Sequence, residues 1–319
     1  MKKVISLILV VLMLTFFVGG CASPDGKGED KLSIVTTMFP EYDWVMQILG
    51  DRSTDVNVTM LLDSGVDLHS FQPSVDDLVT ISSCDLFIYV GGESDLWVED
   101  ALKNVKNKNM KVINILEHLD DALLEATEHE HEEGEEHGHD HAIDEHVWLS
   151  LKNAKKVCEK ISATLCEIDD DNKEVYEKNL VDYLIKLDNL DANYAFAVSE
   201  AQNKTLLFGD RFPFRYMVED YGLEYYAAFS GCSAESEASF ETISFLASKI
   251  DELGLKYVIT IDGSSSDIAD TLIAASSEKS AEVLVLDSMQ SKTAADVAAG
   301  ESYLSVMQKN LETLKKALS

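Results

Sequence analysis

The sequence predicts an α/β protein of two lobes, each a mainly parallel sheet flanked by helices, with one long helix joining them. Two observations point there. Short β-rich runs alternate with helical stretches in both halves of the 319-residue chain, and a long stretch without helix breakers lies between the halves. Alternation of this kind builds layered α/β domains. In the first half the runs are 33–37, 56–62, 85–90 and 111–115; in the second they are 205–209, 224–229, 257–262 and 282–287. Residues 86–90 and 283–286 are continuous apolar runs, which suit strands buried on both faces of a parallel sheet. Crossover helices are expected at 42–49, 239–253 and 266–277. Between the halves, residues 170–201 place apolar or aromatic side chains at Val175, Tyr176, Leu180, Tyr183, Leu184, Leu187, Leu190 and Tyr194. Steps of three and four describe one helix face. A helix of about 30 residues spans about 45 Å and makes a stiff hinge.

The amino terminus reads as an export signal. Lys2 and Lys3 precede an uncharged, mostly apolar run over 4–18, which is shorter than the roughly 20 residues a membrane-spanning helix needs. The following Val18-Gly19-Gly20-Cys21 resembles the lipobox of bacterial lipoproteins, in which the cysteine is acylated and becomes the mature amino terminus. The expected organisation is a signal peptide over 1–20, a lipid tether over 21–32, a first lobe over 33–169, a linking helix over 170–202 and a second lobe over 203–319. Loss of residues 1–20 takes two lysines away, and the formal charge goes from −32 to −34. Such acidity excludes a nucleic-acid partner, whose phosphates it would repel. It fits attraction of cations, although most of these carboxylates serve solubility.

Four cysteines follow Cys21. Cys158 and Cys166 fall eight residues apart on one expected helix, a rise of about 12 Å that exceeds disulfide reach. No Cys-x-x-Cys occurs, so a thiolate metal site is not expected. Free buried thiols are the default reading, with a Cys84–Cys232 bridge left open.

Histidine is the informative residue. Of eight in the chain, five (His129, His131, His137, His139 and His141) fall in Glu128–His141, alongside seven Asp or Glu and no apolar side chain. Such a segment cannot pack, which predicts a disordered His-rich loop over 125–142 and a weak accessory trap for divalent ions. The others are His69, His118 and His146. His69 follows the second expected strand, where open parallel sheets bind ligands. His146 follows the His-rich loop. Asp262 and Asp287 each end a buried strand, and either could bind metal or cap the next helix. Trp44, Trp97, Trp148, Phe71 and Phe212 read as lobe core rather than site wall.

Together, Ser64–Pro73 (Ser-Gly-Val-Asp-Leu-His-Ser-Phe-Gln-Pro) and Asp144–Leu149 (Asp-Glu-His-Val-Trp-Leu) resemble two segments of the metal receptors of ABC importers, especially the zinc-binding group, which also carries a His-rich loop. The resemblance covers essentially the whole mature chain. It implies a high-affinity receptor held at the extracellular face of the bacterial cytoplasmic membrane by its lipid. Such a receptor, expected as a monomer, delivers Zn²⁺ to an importer permease. It implies His69 and His146 as metal ligands from the first lobe and Asp287 as an acidic ligand from the second. The family's remaining ligand, a His or Glu after the first strand of the second lobe, has no counterpart. Alternative alignments put Gly209 or Arg211 there, and neither can ligate. Asp210 is the nearest candidate, with an ion pair to Arg211 or Arg215 as its structural alternative. Asp262 is a second candidate, and Glu235 and Glu237 are outsiders. Two imidazoles with carboxylates suit four-coordinate Zn²⁺, and the same set could hold Mn²⁺. A secreted zinc metalloenzyme and a surface adhesin are the competing readings. The absence of His-Glu-x-x-His and of a second histidine cluster to activate water counts against the enzyme.

Overall fold

The structure, a computed structural model, describes residues 31–125, 143–229, 231 and 238–319. The expected signal peptide, Cys21, the His-rich loop, Cys232, Glu235 and Glu237 lie outside those residues. Every predicted β run contains a strand. The first sheet is built from β1 (Ser33–Thr36), β2 (Asn57–Met60), β3 (Leu86–Tyr89) and β4 (Lys111–Asn114), in the order β2-β1-β3-β4 and wholly parallel. The second repeats the order with β5 (Thr205–Phe208), β6 (Glu224–Ala227), β7 (Tyr257–Ile261) and β8 (Glu282–Leu286), as β6-β5-β7-β8. In each sheet the chain leaves the first strand for one side and returns for the other. The crevice this opens at the carboxyl ends of the strands is where such sheets bind ligands.

Burial follows strand position. The central β3 is buried at Leu86, Phe87 and Ile88, as its apolar run requires. β8 differs from expectation. It lies at a sheet edge, and Val285 is 52% exposed, so its apolar run is not covered on both faces.

Between the lobes a short turn (Asp170–Asn172) leads into the linking helix Lys173–Glu200, 28 residues and about 42 Å long. Asp169 sets the offset from the expected start, because its carboxylate accepts hydrogen bonds from Asn172 Nδ2 and Tyr176 Oη. Tyr176, Tyr183, Leu187, Leu190, Tyr194 and Val198 form the buried stripe, while Val175, expected on it, is exposed. The helix packs against Leu151–Ile168 of the first lobe, Phe39–Leu49 and the C-terminal helix Tyr303–Ala317.

That last helix ties the lobes together. Tyr303 donates its backbone N–H to Asp43 and its hydroxyl to the Trp148 carbonyl, at 3.0 and 2.6 Å. Tyr194 of the linking helix donates to the Met307 carbonyl at 2.7 Å. One continuous apolar core therefore runs through both lobes, with a smaller one beneath Phe240–Leu253 and Asp267–Ala275. Residues Leu32–Ser319 form one compact unit. Cys84, Cys158 and Cys166 are free thiols; burial pushes Cys84 up to about 12 and holds Cys158 well above its usual range.

Candidate metal centre

His69 stands in the loop after β2. Asp67 caps the short turn Leu68–Ser70 by accepting the His69 backbone N–H at 3.0 Å, and Leu68 plugs into the core. His146 reaches the same place from the far end of the lobe. Its neighbour Asp144 accepts from both the His146 backbone N–H at 2.9 Å and the ring Nδ1 at 2.8 Å. Trp148 is buried beside it, rings 5.2 Å apart. The two imidazoles meet with Nε2 atoms 3.3 Å apart and ring planes tilted by 55°. His146 is buried, whereas the His69 side chain is 25% exposed and forms the mouth of the site.

Each Nδ1 has an oxygen beside it. At His146 the acceptor is the Asp144 carboxylate, so the hydrogen lies on Nδ1 and the Nε2 lone pair points into the cleft. At His69 the neighbour is the Ser94 hydroxyl, which can accept or donate, 2.8 Å away, with Glu145 Oε2 at 3.9 Å. With both ring hydrogens on Nδ1, two lone pairs face each other at 3.3 Å, an arrangement that a positive charge between them stabilises. Tetrahedral zinc bonded at about 2.0–2.1 Å to two imidazoles puts their nitrogens about 3.3–3.4 Å apart. The pair therefore fits such an ion.

The second lobe meets this site along a short front. Arg211 Nη1 lies 3.5 Å from Asp67 Oδ2, Trp148 Nε1 donates to the Ser288 carbonyl at 2.8 Å, and Ser64 bridges Thr293. Asp210 is buried, and its oxygens accept from the backbone N–H groups of Arg211 at 2.7 Å and Ile261 at 3.1 Å. Its carboxylate thus braces the β5 and β7 ends. The alternative pairing with a guanidinium does not form, since Arg211 reaches Asp67 and Arg215 pairs with Glu219. Position 209 is closed to any side chain: a Cβ there would lie 2.7 Å from the Ala269 Cα.

Asp262 Oδ1 accepts from the Ser288 backbone and hydroxyl at 2.6 and 2.9 Å. Asp287 follows β8, forms an ion pair with Lys292, and accepts from the Met289 N–H at 2.9 Å. Asn310 of the C-terminal helix clamps its backbone on both sides. Burial, reinforced by the Asp262 charge and opposed by Lys292, raises Asp287 to about 6. The buried Met289 beside it takes φ 61°, a left-handed conformation uncommon for such a side chain. Among the described residues, no group of three or more His, Cys, Asp or Glu side chains already stands ready to hold a metal. His118 is elsewhere, with its ring against the Lys156 carbonyl at 3.3 Å.

The sequence reading missed Ser94 and Glu145. Glu145 had a signal, a carboxylate next to the ligand candidate His146. Ser94 had none, because only the turn after β3 brings it to His69. Trp44, Phe71 and Phe212 are buried as expected and Trp97 is partly buried against the same core, while the buried Trp148 also walls the site beside His146.

Comparison with known proteins agrees with this architecture. The family model described as ZnuA, zinc-uptake complex component A periplasmic, matches residues 34–317. The chain is 36% identical over 320 residues to the zinc-binding lipoprotein AdcA of Streptococcus pneumoniae, an alignment covering 99% of this chain but 61% of that protein. The chain thus spans about three-fifths of that relative's length. It is 33% identical over 318 residues to the high-affinity zinc uptake system protein ZnuA of Bacillus subtilis, covering 98% of this chain and 97% of that one. The solved Zn(II)-bound ZnuA-like domain of S. pneumoniae AdcA matches with a TM-score of 0.71 at 32% identity, over 90% of this chain and 99% of that domain. With two parallel sheets, a linking helix and a histidine pair in the cleft, the chain belongs to the zinc-uptake complex component A family.

Proposed function

We propose that this protein is an extracytoplasmic receptor that captures Zn²⁺ between its lobes and delivers it to an ABC importer. The observation that carries the reading is the 3.3 Å separation of the His69 and His146 Nε2 atoms, each ring with an oxygen beside its Nδ1. The zinc named for the S. pneumoniae and B. subtilis relatives supports the choice of ion. His69 and His146 are the first-lobe ligands. Asp287, released from Lys292, completes the site with Asp262 as its neighbour, and Asp210 stays in its bracing role. The ion is cargo, and no bond of a substrate is made or broken.

Acylation of Cys21 after removal of residues 1–20 anchors the receptor. No helix among the described residues is long and apolar enough to cross a membrane. The His-rich segment adds weak sites that raise zinc near the cleft.

The test is calorimetric titration of a chain lacking residues 126–142. Glu125 and Ile143 are bridge partners, so the cut ends already adjoin. One zinc site tighter than micromolar is expected, and it should vanish in the doubly substituted His69→Ala/His146→Ala protein while circular dichroism stays unchanged. Absence of a tight site in the unsubstituted chain, or its survival in the double variant, overturns the reading.

A further inference from the structure

The two imidazoles are held differently, and the difference centres on Glu145. His146 keeps a carboxylate on its Nδ1. His69 has a neutral hydroxyl, Ser94 Oγ, at 2.8 Å, and a carboxylate oxygen waiting 3.9 Å away. That oxygen, Glu145 Oε2, is buried and has no hydrogen-bond partner. Its twin is fixed, because Glu145 Oε1 accepts the Ser94 backbone N–H at 3.0 Å. The carboxylate also lies against Gly92, where an added Cβ would fall 2.7 Å from its Cδ. Gly92 takes φ 78°, so the turn that admits the carboxylate is one glycine favours. Glu145 therefore cannot back away from His69, yet it makes no hydrogen bond to it. A buried oxygen left without a partner calls for an explanation.

We propose that Glu145 is a positioning residue that takes over the His69 Nδ1–H from Ser94 when the cation binds. The inference rests on His69 being a ligand, as proposed above. A cation on Nε2 withdraws charge from the ring and polarises the opposite N–H. Hydrogen bonds from such a donor to a carboxylate are shorter and about twice as strong as those between neutral groups. A ring movement that brings Nδ1 about 1 Å nearer Oε2 reaches the usual distance for such a bond. Ser94, held to Glu145 through its backbone, occupies Nδ1 while the cleft is empty. His146 is thus oriented at all times, and His69 gains its carboxylate only in the loaded state. Glu145 would then govern how long the ion is retained more than how fast it is met.

Two measurements on the full chain test this. In the first, zinc is removed by an excess of chelator from the unsubstituted protein and from Glu145→Gln, which keeps the shape and loses the charge. Dissociation from the cleft should be faster by about 10- to 100-fold in the variant, the usual effect of losing a carboxylate behind a metal-bound histidine. The visible spectrum of the Co²⁺-loaded variant should also shift, which a merely structural defect would not cause. Equal rates and superimposable spectra overturn the proposal.

The second measurement needs no substitution. In crystals of the zinc-loaded chain, His69 Nδ1 should lie within hydrogen-bond distance of Glu145 Oε2. Zinc on both imidazoles with Nδ1 still on Ser94 overturns this inference alone. Zinc absent from both imidazoles overturns the ligand assignment and this inference with it.

Discussion

Replacing Asp144 with alanine probes the site without touching a proposed ligand. Its Oδ1 holds the His146 backbone and ring at 2.9 and 2.8 Å, so the change frees the ring to rotate and removes the charge behind it. Loss of such a partner weakens metal binding by roughly 10- to 100-fold. Zinc at about 100 times the unaltered dissociation constant stabilises the native state by about 2.7 kcal/mol. At about 2–4 °C per kcal/mol for a chain of this size, melting rises by about 5–11 °C. In Asp144→Ala the same zinc stands at about 1–10 times the new constant, which stabilises by roughly 0.4–1.4 kcal/mol. The shift then falls to about 1–6 °C. Asp144→Asn keeps an acceptor and should fall between. The assay is thermal unfolding with and without zinc, using chains that lack residues 126–142 so that only the cleft responds. A folded Asp144→Ala protein with the full shift would refute the claim that Asp144 orients a ligand.

Three further outcomes follow from the packing. Asp43 is buried where four helices meet, and burial raises it to about 6 despite hydrogen bonds from Tyr303 N, Gln47 and Tyr183. Its folded value exceeds the unfolded one of about 3.9, so its stabilising share is full below that pH and is lost as pH rises through about 6. Asp43→Asn should therefore gain stability at pH 7–8 relative to pH 4, on the order of 3 kcal/mol for a shift of about two units, measured by denaturant titration at both pH values. Gly209→Ala should lose roughly 1–3 kcal/mol, because its Cβ meets backbone rather than a flexible side chain. Trp148→Phe should lose about 1–3 kcal/mol in chemical unfolding, since it leaves the Ser288 carbonyl without its indole donor inside the lobe contact.

Most of the fold was legible because its signals are local. Short β-rich runs marked every strand, and the 3.6-residue rhythm from Tyr176 to Tyr194 marked the linking helix. What failed was information about neighbours. Val283–Leu286 reads as doubly buried, yet only strand order reveals that β8 is an edge. In the site, His69 and His146 could be named from the segments that carry them, and the structure brings their Nε2 atoms to 3.3 Å. The second lobe was harder to read, because carboxylates that end strands look alike in sequence. Whether such a side chain braces backbone, as Asp210 does, or carries an ion pair, as Asp287 does, depends on amides and lysines distant along the chain.

Anomalous diffraction at the zinc edge, from crystals of the zinc-loaded chain, tests the central claim most directly. The account predicts one strong peak at about 2.0–2.1 Å from both Nε2 atoms of His69 and His146. A peak that avoids both rings, or a cleft with no zinc while the His-rich segment carries it, would contradict the account.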